Sequence, residues 1–98
     1  MEINKDIQEK IMTLKLTGRL DTTTSPQLEQ ELNASLDGIE DLKLDFSDLE
    51  YISSAGLRVL LAAQKRMNKQ GVMSISGVND TIAEIFEITG FSDILTII

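Results

Sequence analysis

An α/β fold with a mixed, mostly parallel sheet of four to five strands and helices mainly on one face is predicted by three features of this sequence. Segments with apolar residues at every second position alternate along the chain with segments whose apolar residues recur every three or four positions. That order gives parallel strands joined by right-handed crossovers. The helical segments open on hydroxyl-bearing or Asn/Asp residues and stop at glycines, which are start and stop signals for helices. The polar half of the alternation in two strands leaves one sheet face suited to water, so the helices belong mainly on the other. The 98 residues are expected to form one domain, 1–98, long enough to bury a core without disulfides or metal.

The elements follow in order. Ile11 to Leu20 places Met12, Leu14 and Leu16 on one side and Thr13, Lys15 and Thr17 on the other, the period of a half-buried strand. Residues 2 to 7 are expected to pair with it as a hairpin, turning at Gln8 to Lys10 without the usual Asn-Gly or Asp-Gly. Thr24, Ser25 and Pro26 begin a helix, where a hydroxyl accepts an orphan N–H and proline suits the first positions. Leu28, Leu32 and Leu36 form its stripe, and Asp37-Gly38 ends it. Leu42 to Phe46 alternates as a strand and leads through Ser47 to Glu50 into the turn Tyr51 to Leu57. From Gly56 onward, Leu57, Leu60, Leu61 and Met67 share a helical face, closed by Gln70-Gly71 with Lys69 complementing the dipole. Val72 to Ser76 reads as a further strand, and Asn79 or Asp80 caps a helix carrying Ile82, Ile85 and Phe86 that stops at Gly90. Ile94 to Ile98 is expected as a short strand or tail.

Composition excludes several functions. With no cysteine and no histidine, disulfides, thiol chemistry, the usual nucleophile pairs and zinc sites are ruled out, so no enzyme activity, metal or cofactor is expected. A formal net charge of −7 opposes binding to nucleic acid or an anionic membrane and favours a basic partner. The amino terminus lacks the pattern of a signal peptide and no apolar run approaches the ~20 residues that span a bilayer, so a cytoplasmic location is expected. Asp45, Asp48 and Glu50 match no metal-loop spacing and read as a solvated acidic rim. Met12, Met67 and Met73 fall at core-like positions.

The turn from Tyr51 to Leu57 carries the functional signal. Ser53 and Ser54 stand where a strand hands over to a helix, beside unpaired N–H groups at the positive end of the helix dipole. A phosphate added there brings roughly −1.5 to −2 charge into a site that tolerates it. Helix capping by one serine and a tight bend at the other would also account for the pair, as close packing would for Gly56.

The run Leu44 to Leu61, LDFSDLEYISSAGLRVLL, resembles the signature of the STAS domain family, named for sulfate transporters and anti-sigma factor antagonists. Gly18-Arg19-Leu20-Asp21 resembles a further element of that family, G-x-L-D, and a free-standing domain of this length resembles the bacterial anti-sigma factor antagonists. The resemblance implies a STAS-like fold and partner switching. Unphosphorylated, the chain would bind an anti-sigma factor that is also a serine kinase; phosphorylated, it would be released until a serine phosphatase restored it. Alignment on Gly56-Leu57 puts Ser54 at the phosphorylated position, with Ser53 as the alternative; Ser53 stands where the family often has aspartate, and Ala55 where it has serine or threonine. Asp21, Ser53, Ser54, Gly56, Leu57 and Arg58 are the implied partner-binding residues. Asp21 has an equally good reading as the start of the Thr22-Thr23-Thr24 turn, and Leu57 as a core residue. The departures at Ser53 and Ala55 motivate an alternative: an unphosphorylated scaffold, or an accessory subunit of a transporter or signalling complex.

Overall fold

In the computed structural model, which describes all 98 residues, the first two strands form a hairpin: β1 (Glu2–Gln8) runs antiparallel to β2 (Ile11–Leu20). The pairing closes at Gln8 and Ile11, and Glu9 adopts φ 57°, supplying the left-handed turn position that glycine or asparagine usually takes. β3 (Asp41–Ile52) lies parallel to β2, and β4 (Val72–Ser76) parallel to β3, giving the sheet order β1-β2-β3-β4. The carboxyl terminus adds one parallel bridge, Ile75 to Ile97, at the β4 edge in place of a full fifth strand.

Three helices follow the predicted segments: α1 (Ser25–Ser35), α2 (Ser54–Gln70) and α3 (Asp80–Ile88), with a 3-10 turn at Phe91–Asp93. Leu28, Leu32, Leu57, Leu60, Met67, Ile82 and Phe86 from the helices join Met12, Leu14, Leu16, Leu42, Leu44 and Ile75 from the strands in one core of 23 buried residues. Thr13, Lys15 and Asp45 point to the other, partly open face of the sheet. The α/β class and the one-sided helical cover are those the sequence predicts. Leu61, expected on the core face of α2, is only half-buried, while Gly56, Val59, Ala63 and Gln64 are buried. The buried stripe therefore keeps Leu57, Leu60 and Met67 and widens on the side of Gly56, Val59, Ala63 and Gln64 in place of Leu61.

β3 is longer than the alternation from Leu42 to Phe46 suggests, and the reason is a change of period. Lys15 pairs with Asp45 and Thr17 with Asp48; then Gly18 pairs with Leu49 and Arg19 with Tyr51. Each shift adds one residue on β3, so that Leu49 and Ile52, three positions apart, both return to the core. A strand with two bulges loses the two-residue alternation by which strands are read. Asn79, thirty residues away in sequence, holds the second bulge. Its side-chain amide donates to the Leu49 carbonyl at 3.1 Å and the Glu50 carbonyl at 3.3 Å, while its oxygen caps α3 by accepting the Ile82 N–H at 2.8 Å.

Candidate functional site

The bulged end of β3 delivers the serine turn to the end of β2. The Ser53 N–H donates to the Leu20 carbonyl at 2.9 Å, which stitches the two strand ends together and brings Asp21 and Ser54, the next residues on each, to one rim of the molecule. Ser53 occupies the N-cap position of α2 with extended backbone, φ −99° and ψ 176°, and its carbonyl accepts the Leu57 N–H at 3.0 Å. Its hydroxyl does not cap the helix. The Ser53 Oγ is enclosed without any hydrogen-bond partner, so the first-turn N–H groups of α2 have no side-chain acceptor.

Ser54 is the first residue of α2 and is exposed; Ala55 is half-buried. Gly56 lies beneath the turn. A Cβ there would stand 2.8 Å from both Ile52 Cγ1 and Leu20 Cγ, closer than real side chains approach, so Gly56 lets α2 start tight against the ends of β2 and β3. Its role is close packing. Leu57 occupies a core position, 6% exposed, while Arg58 is exposed one turn beyond Ser54.

Asp21 organises the facing turn. Its carboxylate accepts the N–H groups of Thr23 at 3.0 Å and Thr24 at 3.1 Å, and its carbonyl accepts both the N–H and the hydroxyl of Ser25. The Thr24 hydroxyl, expected from the sequence to take an orphan N–H of the helix, reaches backward: it accepts the Asp21 N–H at 2.9 Å and donates to the Arg19 carbonyl at 2.7 Å. The reason is that the chain already turns at Asp21, so Asp21 serves the free N–H groups ahead of α1. The hydrogen bond from the Thr24 backbone, helped by Thr23 and by nearby Arg19 and partly opposed by desolvation, lowers the Asp21 pKa below the ordinary aspartate value. The Arg19 guanidinium packs 4.7 Å from the Tyr51 ring centroid, with its Nε 3.9 Å from Asp21.

The pairing of Arg19 with Tyr51 was not visible from sequence, because the register that makes them neighbours exists only after both bulges. Between α1 and α2 a hollow of about 220 Å³ opens beside the rim, lined by Thr22, Ser25, Pro26, Glu29, Ala55, Arg58 and Val59. Asp21, Ser53, Ser54, Gly56, Leu57 and Arg58 thus gather at one end of the molecule, with Ser54 and Arg58 open to solvent, Asp21 partly so, and Gly56 and Leu57 supporting them from below. The acidic rim lies elsewhere on β3: the Asp45 carboxylate accepts the Ser47 N–H at 2.9 Å, and Asp48 pairs with Lys15 at 3.2 Å.

The chain as a whole has known relatives. A family model described as STAS domain matches residues 2–98. The anti-sigma-B factor antagonist of Staphylococcus aureus is 33% identical over 97 residues, covering 97% of this chain and 90% of that protein. An anti-sigma factor antagonist from Mycobacterium paratuberculosis superimposes with a TM-score of 0.88 at 22% identity, covering 98% of this chain and 83% of the other. SpoIIAA gives TM-scores of 0.78 in its unphosphorylated form and 0.77, from Bacillus, in its phosphorylated form; both are 14% identical, covering 99% of this chain and 87% and 91% of theirs.

Proposed function

Since this chain belongs to the STAS domain family, we propose that it is an anti-sigma factor antagonist that acts by partner switching. Unphosphorylated, it binds an anti-sigma factor that doubles as a serine kinase and so frees a sigma factor. Phosphate on Ser54 releases the complex, and a serine phosphatase resets it. One observation carries the choice of residue. Ser54 is the exposed first residue of a helix without a side-chain cap, whereas the neighbouring Ser53 hydroxyl is enclosed and out of reach of a kinase. The open helix start favours the added charge, so the fold tolerates the modification while the contact surface changes sign locally. The names of its relatives, and the existence of a phosphorylated form of SpoIIAA, support the reading.

Incubation with the cognate kinase and ATP, followed by peptide mapping by mass spectrometry, is expected to add one phosphate, on Ser54. An unmodified Ser54 peptide would overturn the switch. In capture experiments with the same kinase, Ser54→Ala is expected to bind and Ser54→Glu to bind far less. Equal binding by both would replace the switch with a constitutive scaffold on the same face.

A further inference from the structure

We propose that a phosphate on Ser54 is held within the chain by Arg58, so that one modification changes two charges on the binding face. The inference rests on the reading of Ser54 as the modified residue, and its test is independent of any kinase. Ser54 and Arg58 lie four residues apart on α2, a helix of 17 residues, and both are exposed. Side chains at that spacing are neighbours on a helix, about 6 Å apart at Cβ. A helical side chain also leans toward the amino terminus, so the long Arg58 side chain covers the turn that carries Ser54.

Arg58 is also the one arginine held in reserve. Arg66 is bound to Asp37 at 2.6 Å, and Arg19 is engaged by Tyr51 and Asp21, but no ion pair or hydrogen bond involves the Arg58 guanidinium. The other charged groups facing this rim are Asp21, whose carboxylate is turned into its own loop, and Glu29 on α1. Arg58 and Glu29 line the same hollow without forming an ion pair. A phosphate presents three acceptor oxygens and more charge than the Glu29 carboxylate, and the guanidinium fork matches it bidentately. Drawn to the phosphate, Arg58 leaves Glu29 as the only charged side chain lining the hollow. A partner that places an acidic group there then meets both a new dianion and the loss of the cation that received it.

The test installs phosphoserine at position 54 during translation of the full chain and follows the phosphate by phosphorus NMR across pH. A cation at the phosphate favours the dianion, so the second pKa is expected to be lower in the Arg58 protein than in Arg58→Gln by about 0.3 to 1 pH unit at low salt. Arg58→Lys is expected to keep part of that shift, added salt to shrink it, and Arg19→Gln to leave it in place. Identical titration of the parent and Arg58→Gln, or loss of the shift in Arg19→Gln instead, overturns the proposal. Because the phosphate is installed without a kinase, a kinase that ignores Ser54 sinks the switch and leaves this result standing.

Discussion

Replacing Ser53 by alanine separates two accounts of the serine turn by the sign of one number. At an ordinary N-cap, serine to alanine costs about 1 kcal/mol, because the helix loses an acceptor for one of its free N–H groups. Here the hydroxyl supplies no such bond: Ser53 Oγ is enclosed and unpartnered although the backbone has cap geometry. An enclosed hydroxyl without a partner carries a desolvation cost of about 1–3 kcal/mol, which alanine removes while deleting a single oxygen atom. Partial relaxation around so small a group favours the low end, so Ser53→Ala is expected to stabilise the chain by about 1 kcal/mol. In a domain of 98 residues that raises Tm by about 4–8 °C. Urea unfolding followed by far-ultraviolet circular dichroism measures it, a suitable probe for a chain without tryptophan. A loss of about 1 kcal/mol would mean that the hydroxyl does cap α2. The view of that helix start as open to added charge would fall with it.

Asn79→Ala removes the α3 cap and two hydrogen bonds to the β3 bulge, and is expected to cost about 2–3 kcal/mol in the same titration. Asn79→Ser, which keeps only the cap, should recover part of the loss; full recovery would show that the bulge contacts contribute nothing. Gly71→Ala drives a Cβ into the Glu40 carbonyl, which itself accepts the Val72 N–H, so expression of little or no folded protein is expected, and normal urea stability would refute the close approach. The lowered pKa values of Asp21, from the Thr24 N–H first, and of Asp45, from the Ser47 N–H first, give the pH dependence its sign. Each carboxylate contributes stability that is complete above the unfolded value, about 3.9, and is lost as pH falls through the lower folded value. Acid unfolding of Asp21→Asn with Asp45→Asn is therefore expected to show a flatter decline below about pH 4, and an unchanged acid limb would contradict it.

The parts of this fold that sequence reveals are those where local period and tertiary burial agree. Met12, Leu14 and Leu16 on β2, and Leu28 and Leu32 on α1, are both periodic and buried. The parts it conceals are those where tertiary contacts override local pattern. β3 reaches Ile52 only because two bulges are held, one of them at carbonyls tied down by Asn79, thirty residues away in sequence. No window of neighbouring residues contains that information. Thr24 illustrates the same limit at short range: its residue type favours capping forward, but Asp21 three positions earlier already serves the N–H groups. Of the site, Ser54 and Arg58 were legible as residue types in one recognisable run, and Asp21 in a second, shorter element. The enclosure of the Ser53 hydroxyl was not, because it depends on how the Leu20 carbonyl pins the turn.

That pinning explains how one short turn can combine rigidity with an accessible hydroxyl. The Ser53 N–H is tied to Leu20, Gly56 is wedged against Leu20 and Ile52, and Leu57 is in the core, so the turn is held at three of the five positions from Ser53 to Leu57. Ser54 and, beyond Leu57, Arg58 extend outward from this fixed frame. A charge added at Ser54 therefore has no soft backbone to disturb, and its effect is confined to the neighbouring side chains and whatever docks on them. Under the proposed partner switch this arrangement would be useful: both phosphorylation states would keep one fold and differ at the contact surface, so that the partner would read charge in place of a rearranged backbone.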